Sequence, residues 1–321
     1  MLRRTLLSLA AAAALLPGAM AQAETYPARP IRFTVPFPAG SATDSLARYM
    51  GEKLSTELKQ PVIIENKPGA NGIVAVKDFV RLPPDGYNVF IGSNTTHAAN
   101  LSLYRALPYD PAGDFTPVSC LMRIPLVLVV RPTLPVNSVA ELVALAKQKP
   151  GDLTFGASSS SARAGAELFK MRTGTNLRHV PYKGAPQIIN DLLGGHVDTF
   201  VADATTAMGQ VSSGALRALA VTTAQRVESF PGVPTMMEAG VPDYELIGWF
   251  AAFLPAGAPP ELVQTLNRAF TSAIAAPGAK EFFGKVGGIP HACAPQELAA
   301  FRASETEKWR DVVETAGIEK Q

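Results

Sequence analysis

The stretch Val35-Pro36-Phe37-Pro38-Ala39-Gly40-Ser41-Ala42-Thr43-Asp44 joins a short apolar run to a segment with helical periodicity. Residues 31–35 are rich in β-branched and aromatic side chains, whereas Leu46, Met50 and Leu54 recur at helical spacing. The pattern predicts a buried strand, a Pro/Gly turn and the first turn of a helix.

Ser41 and Asp44 have the spacing of a capping box, in which each side chain satisfies a backbone N–H group at the helix start. The N–H groups that remain free, together with the helix dipole, favour an anion at this end. Gly40 would let a ligand approach the backbone closely. An ordinary strand-to-helix connection fits the same residues, so the rest of the chain has to decide between the two interpretations.

Composition places the chain among globular α/β proteins. With 321 residues, 47% hydrophobic and 17% charged, it is long enough for two compact lobes. Arg3 and Arg4 precede an apolar segment that is too short to span a bilayer comfortably, and residues 21–23 read Ala-Gln-Ala. Residues 1–23 therefore have the form of a secretory signal peptide, and we expect a soluble periplasmic protein that starts at Glu24.

The mature chain is expected to be neutral overall. Removing Arg3 and Arg4 lowers the 29 basic residues to 27, which equals the 27 acidic residues. A neutral chain argues against a broad nucleic-acid-binding surface, so we expect no nucleic-acid partner. The only cysteines are Cys120 and Cys293. Oxidation is possible in an exported protein, but sequence gives no separation between them; their pairing stays open, with two free thiols favoured.

Strand and helix patterns alternate along the chain, with two apolar runs that interrupt the alternation. The first lies within residues 118–130 and the second within residues 244–254. We interpret them as two crossings between lobes. The predicted lobes are residues 24–122 with 248–321, and residues 123–247.

Polar segments follow several of the predicted strands. In open α/β sheets, ligands bind at the carboxyl ends of strands. His97, in a predicted polar loop at residues 93–97, is either a ligand contact or a satisfied loop residue. Arg163, after the serine loop at residues 158–161, is either a solvated helix residue or a bidentate carboxylate clamp; we favour the solvated role.

Motifs of several enzyme classes are missing from the sequence. It contains no G-x-S-x-G elbow, no Walker loop, no full dinucleotide fingerprint and no H-E-x-x-H spacing. We therefore predict no catalytic residues, no metal and no cofactor. A hydrolase or isomerase acting on a carboxylate, with residues that meet only in space, is the alternative to a binding protein.

A series of short motifs, in a fixed order over nearly the whole mature chain, resembles the Bug family of periplasmic receptors for tripartite tricarboxylate transporters (TctC-like). The motifs are Tyr26-Pro27, Arg29-Pro30-Ile31, Pro36-Phe37-Pro38-Ala39-Gly40 with Asp44, Glu65-Asn66-Lys67-Pro68-Gly69, Pro84-Asp85-Gly86-Tyr87, Leu107-Pro108-Tyr109-Asp110-Pro111, His179-Val180-Pro181-Tyr182-Lys183-Gly184, Leu216-Arg217-Ala218-Leu219-Ala220-Val221-Thr222 and Val233-Pro234-Thr235.

The resemblance implies an α/β, two-lobed periplasmic binding protein fold of the type II-like kind, in which each lobe is a sheet flanked by helices. It also implies a cleft between the lobes, where the turn at residues 38–44 and the serine loop at 158–161 hold a carboxylate. Two departures bear on this site. Many members have a second glycine where Ser41 stands, and many have a longer second loop with a His where this chain approaches Arg163.

The expected function is that of an extracytoplasmic solute receptor, a monomer that binds a small carboxylate and delivers it to the membrane subunits of such a transporter. Closure is expected to hinge near Met122 and Ile247, with Trp249 close to the axis and Trp309 away from the cleft. Asp44 is expected to support the turn without touching the carboxylate. The candidate ligand-binding residues are Phe37, Pro38, Ala39, Gly40, Ser41, Thr43, Asp44, Ser93, Asn94, His97, Ser158, Ser159, Ser160, Ser161, Arg163, Tyr182 and Asp203.

Overall fold

The computed structural model describes residues 26–315 and 317–320, so the predicted signal peptide and the start at Glu24 lie outside it. The strands of the described chain are β1 (Ile31–Val35), β2 (Val62–Asn66), β3 (Asn88–Ser93), β4 (Phe115–Val130), β5 (Thr154–Ala157), β6 (Arg178–Pro181), β7 (Thr199–Asp203), β8 (Arg217–Val221), β9 (Ile247–Pro255) and β10 (Ile289–Pro290).

Its helices are α1 (Ala42–Leu58), α2 (Ile73–Phe79), α3 (Asn100–Leu103), α4 (Val139–Gln148), α5 (Ser160–Thr173), α6 (Ala185–Gly194), α7 (Ala204–Ser212), α8 (Pro260–Ala275), α9 (Ala279–Val286) and α10 (Pro295–Thr315). A 3₁₀ turn at Ala70–Gly72 precedes α2, and a π-helical turn at Thr95–Ala99 runs directly into α3.

The first lobe is built on the strand order β2-β1-β3-β9-β4, with β10 also paired to β4. Strands β2, β1 and β3 are parallel, whereas β9 runs antiparallel to its neighbours β3 and β4. Helices α1 to α3 and α8 to α10 complete this lobe. Phe33 of β1 stacks on Phe270 of α8 at 5.8 Å between ring centroids, so the C-terminal helices bury the sheet that the N-terminal segment starts.

The second lobe contains the parallel strands β7, β5 and β6, with β4 lying antiparallel to β7 and β8. Helices α4 to α7 belong to it. The α/β two-lobed fold expected from the sequence is confirmed.

Strand β4 belongs to both sheets. Residues 115–125 of this strand pair with β9, and from Leu126 onward it pairs with β7 and β8. Nearly all of its side chains are buried, which matches the unbroken apolar pattern at residues 118–130. The chain therefore enters the second lobe along β4 and returns along β9. The partner exchange at Pro125 and Leu126 lies close to the predicted boundary, and the exact lobe limits stay a prediction.

The polar loop predicted at residues 93–97 is wrong in its local structure. Ser93 ends β3, and the chain then forms the π-helical turn. Several polar groups here bond to other groups of the protein: Thr96 Oγ1 accepts the Ser93 N–H at 3.1 Å, and Asn100 Nδ2 donates to the Tyr109 hydroxyl at 3.1 Å. Polar side chains that serve internal hydrogen bonds give the same sequence pattern as a solvated loop, which explains the wrong prediction.

The preference for free thiols is also wrong. Cys120 of β4 and Cys293, just before α10, form a disulfide, with Cα atoms 5.1 Å apart. Sequence could not show this, because 173 positions separate the two residues and only the tertiary fold brings them together. The bond ties β4 to the segment that leads into the C-terminal helix α10.

Candidate functional site

A narrow cavity of about 30 Å³ lies between the lobes. Its walls are the start of α1 and the end of β3 from the first lobe, the starts of α5 and α6 from the second lobe, two residues of β7 and one of β9. We call it the cleft cavity. At this volume it encloses little more than a small polar group.

The start of α1 has the predicted capping arrangement with one difference. Ser41 Oγ accepts the Asp44 N–H at 3.3 Å, as in a capping box. The Asp44 carboxylate reaches back to the N–H of Gly40 at 3.0 Å, whereas the Ser41 N–H donates to the Pro38 carbonyl at 3.2 Å. The turn is closed by hydrogen bonds from its own side chains. It requires a left-handed backbone conformation at residue 40, which Gly40 adopts with φ 79°.

The Asp44 side chain is fully engaged within the first lobe. Its carboxylate accepts from Arg48 Nε and from Asn66 Nδ2, each at 3.0 Å, besides Gly40. Burial opposes ionisation, but the hydrogen bonds from these three residues hold the pKa of Asp44 below its ordinary value. Asp44 is buried and does not line the cleft cavity, in agreement with a supporting role.

The start of α5 mirrors that of α1 from the opposite lobe. Ser159 precedes the helix, and its Oγ accepts the Ala162 N–H at 3.3 Å. The first two N–H groups of each helix, those of Ala42 and Thr43 in α1 and of Ser160 and Ser161 in α5, have no acceptor within the helix. Two positive dipole ends therefore meet at one cavity, which suits an anion.

Hydrogen bonds across the cleft join the lobes in a closed arrangement. Asn94 Nδ2 donates to Ser161 Oγ at 2.6 Å, and Ser160 Oγ donates to Asn100 Oδ1 at 3.2 Å. Asn94 also accepts the backbone N–H of Trp249, at 3.3 Å, so it links the second lobe to the returning strand β9.

One fully buried polar atom at the cleft cavity has no hydrogen-bond partner among the described residues. Ser93 Oγ is completely buried and unbonded. The carboxyl group of Asp203 also lines this cavity, and burial raises its pKa to about 6. No lysine, arginine or histidine of the described chain lines this cavity. Backbone N–H groups and hydroxyls, rather than a side-chain cation, are what it offers to an anion.

A larger cavity of about 250 Å³, which we call the side cavity, adjoins the cleft cavity. Phe37, Ser158 and Ser159 line both. Its first-lobe wall is the segment 69–72 with Leu103 and Tyr104, and its second-lobe wall comes from α5 and β6.

The structure brings most of the predicted site residues to these two cavities. Those lining the cleft cavity are Phe37, Pro38, Ser41, Thr43, Ser93, Asn94, Ser158, Ser159, Ser161 and Asp203. Ser160, Arg163 and Tyr182 line only the side cavity. The Tyr182 hydroxyl donates to Asp191 at 2.6 Å, which leaves its ring as the lining group.

Four predicted site residues line neither cavity. Ala39 and Gly40 are exposed on the outer side of the turn, and Asp44 is bound internally. His97 is fully buried, with its ring stacked on Phe253 at 3.8 Å between centroids. Burial lowers the pKa of His97 well below its ordinary value, so it is a neutral core residue, and the expectation of a ligand contact is corrected.

Several cavity-lining residues escaped the sequence reasoning: Ala42, Thr95, Ala162, Gly184, Ala185, Phe200 and Phe250. Ala42 and Ala162 lie in the first turn after a capping serine, which could have identified them. Phe200 and Phe250 carried no such signal, since the direction of a strand side chain follows from sheet geometry.

The described residues include neither a metal-binding cluster nor a membrane-spanning helix. They contain no group of three His, Cys, Asp or Glu side chains placed to hold a metal ion. Nor does any helix in residues 26–315 combine the length and apolarity needed to cross a bilayer.

Known proteins resemble this chain over most of its length. A family profile described as "Tripartite tricarboxylate transporter family receptor" matches residues 46–318. Protein BugT of Bordetella pertussis is 38% identical over 298 residues, which cover 92% of this chain and 91% of BugT.

Solved structures agree with these sequence matches. An R. palustris protein with adipate has a TM-score of 0.90 and 37% identity, covering 92% of this chain and 100% of that one. MatC from Rhodopseudomonas palustris with bound malate has a TM-score of 0.85 and 28% identity, covering 90% and 100% of the two chains.

Proposed function

We propose, from the fact that this chain belongs to the tripartite tricarboxylate transporter receptor family, that its cleft cavity binds a small carboxylate for delivery to the membrane subunits of such a transporter. The chain is a solute receptor of that family. The carboxylate chemistry, the membrane partner and the residues of the site are the parts that we propose.

One observation carries the proposal: the cleft cavity is bracketed by two capped helix starts, one from each lobe. Each helix end stabilises a negative charge by about 0.3–1 kcal/mol, and by more when water is excluded. Because no basic side chain of the described residues lines the cavity, the N–H groups of Ala42, Thr43 and Ser161 supply the attraction. The adipate and malate bound by the two R. palustris relatives fit this chemistry.

The arrangement couples binding to closure. A carboxylate that touches both helix starts interacts with both lobes only when they are together, so it favours the closed form by its difference in affinity. The strands β4 and β9 connect the lobes and act as the hinge in this proposal. The membrane subunits would then recognise the closed shape.

The cellular setting follows from the N-terminal sequence. We propose that residues 1–23 are removed on export and that the mature protein acts in the periplasm as a monomer. We propose receptor function without turnover, with a hydrolase or isomerase acting on a carboxylate as the rival.

A thermal-shift screen of the mature chain against mono-, di- and tricarboxylates, each beside its neutral amide, tests the proposal. A ligand at a thousand times its dissociation constant should stabilise the fold by about 4 kcal/mol, whereas the amides should not. NMR of each mixture after incubation should show the acid unchanged. The proposal fails if no acid raises the melting temperature, and release of a product would favour the rival enzyme.

A further inference from the structure

We propose that the side cavity binds a second carboxylate through Arg163 and His179, so that the ligand is a dicarboxylate whose two charged ends occupy the two cavities. This inference rests on the proposed function, because it assigns the near carboxylate to the cleft cavity.

The sizes of the two cavities support a ligand that extends from one into the other. The cleft cavity, at about 30 Å³, has room for a carboxylate group but not for a whole dicarboxylate, whereas the side cavity has about 250 Å³. Phe37, Ser158 and Ser159 form a wall common to both. The Phe37 ring offers an apolar surface where the methylene groups between two carboxylates can pack.

Arg163 is the strongest anion-binding group of the side cavity. Its Nε is buried, and it has no hydrogen-bond partner among the described residues. Arg131, by contrast, is paired with Asp198 at 2.7 Å. A buried N–H donor without a partner costs free energy, and a carboxylate is the group whose geometry matches a guanidinium in a bidentate pair.

His179 supplies a second unsatisfied nitrogen in the same cavity. Its ring stacks on Phe155 at 5.0 Å between centroids, and its Nε2 is buried without a partner among the described residues. Burial and the charge of Arg163 lower the pKa of His179, so the imidazole is neutral at pH 7 and can donate one hydrogen bond.

The charged groups near Arg163 and His179 do not cancel the attraction of these two side chains for an anion. No Asp or Glu of the described chain lines the side cavity, and Lys183 is exposed at its edge. Glu167, the acidic group that acts on His179, is itself paired with Lys170 at 2.6 Å. The side cavity is therefore basic, whereas the cleft cavity contains the carboxyl group of Asp203.

The helix sets the separation between the two anion-binding points. Ser159 caps α5 at the cleft cavity and Arg163 lies four positions later, about one turn or 6 Å along the axis. Two carboxylates separated by several methylene groups match this spacing. The solvated role favoured for Arg163 from sequence is thus replaced, because the side chain lines a cavity.

Calorimetric titration with matched acids tests the inference. The probes are the dicarboxylates succinate, glutarate, adipate and pimelate, each with the monocarboxylate of equal carbon number. We expect the best dicarboxylate to bind the wild type at least tenfold more tightly than its monocarboxylate. Arg163→Ala should abolish this difference and leave monocarboxylate affinity within twofold. Arg163→Lys, which keeps the positive charge but loses the paired N–H donors of the guanidinium, should restore part of this difference in affinity.

Two further variants separate a specific contact from a general effect of charge. Arg178→Ala removes a positive charge next to His179 in sequence but outside the side cavity, and it should change neither affinity. His179→Ala should weaken the dicarboxylate selectively, whereas His179→Gln, which keeps a donor, should weaken it less. Circular dichroism confirms that each variant is folded.

Three results would overturn the inference: equal wild-type affinity for both members of every pair, equal weakening of both acids by Arg163→Ala, or an effect of Arg178→Ala as large as that of Arg163→Ala. None of these three results contradicts the proposed function as a carboxylate receptor. A wild type that binds no acid at all refutes the proposed function, and the inference with it.

Discussion

Pro38, in the turn before α1, and Gly184, directly before α6, are in such close contact across the cleft that a Cβ atom on residue 184 would overlap the proline ring. The backbone of Gly184 is extended, at φ −166°, which any residue can adopt. The glycine is thus needed for the approach of the lobes and not for its own conformation.

Gly184→Ala should weaken carboxylate binding at least tenfold, because the added methyl group holds the lobes apart. The free energy of unfolding should change by less than about 0.5 kcal/mol, since each lobe keeps its own packing. Gly209→Ala in α7, where a Cβ would meet open space, is the matched control. Calorimetry and denaturant unfolding give the two quantities, and an unchanged affinity in Gly184→Ala would show that this contact does not limit closure.

Asp44→Asn should retain most of the binding, because the amide oxygen can still accept from Gly40. Asp44→Ala should lower stability by about 1 kcal/mol and weaken binding more, since the start of α1 loses its cap. Arg48→Ala separately removes the ion pair, whose Nη2 and Oδ1 atoms lie 3.0 Å apart. Complete loss of binding in both Asp44 variants would instead indicate direct contact with the ligand.

Binding of a monocarboxylate should weaken as the pH rises above about 6. The pKa of Asp203 is raised to about 6 by burial, and a carboxylate bound nearby raises it further, so binding takes up a proton. Affinity should be highest below pH 6, and Asp203→Asn should remove the dependence. A monocarboxylate is used so that His179 does not contribute.

Folding stability gives an independent reading of Asp203. Because the pKa of Asp203 in the folded protein lies above the ordinary value of 3.8, its contribution to stability is present below about pH 4 and is lost as the pH rises through 6. Asp203→Asn should therefore stabilise the unliganded protein more at pH 7 than at pH 4. Equal pH profiles for wild type and variant would show that the Asp203 carboxyl group is solvated and that its pKa is not raised.

Ligand binding should change the fluorescence of Trp249 and reduce the radius of gyration. The Trp249 indole donates to Glu305 at 2.8 Å, and its backbone N–H binds Asn94, which contacts Ser161 of the opposite lobe. Trp249→Phe should lose the emission change, while Trp309→Phe should keep it. If calorimetry shows binding but the scattering curve does not change, the hinge model is wrong and the pocket is rigid and preformed.

Local patterns predicted much of the fold because their causes are local. Helical spacing in residues 46–54 and the capping pair Ser41 and Asp44 predicted the start of α1, which the structure has at Ala42. The two apolar runs at residues 118–130 and 244–254 similarly marked β4 and β9, whose burial on both faces leaves no alternation.

The remaining features depend on contacts between distant segments. His97 became a core residue because Phe253, far along the chain, covers its ring. Arg163 lines the side cavity together with His179 and the segment 69–72, which lie outside its own helix. Neither relation has a signal within a local sequence window.

The disulfide has a consequence for the order in which the molecule can assemble. Every strand of the second lobe lies between Cys120 and Cys293 in sequence, and β9, inserted between β3 and β4, also comes late. A chain emerging from its N-terminus can therefore complete the second lobe while the first still lacks β9, the strand between β3 and β4. The first lobe is finished last, and the bond between the cysteines can lock it only after almost the entire polypeptide has emerged.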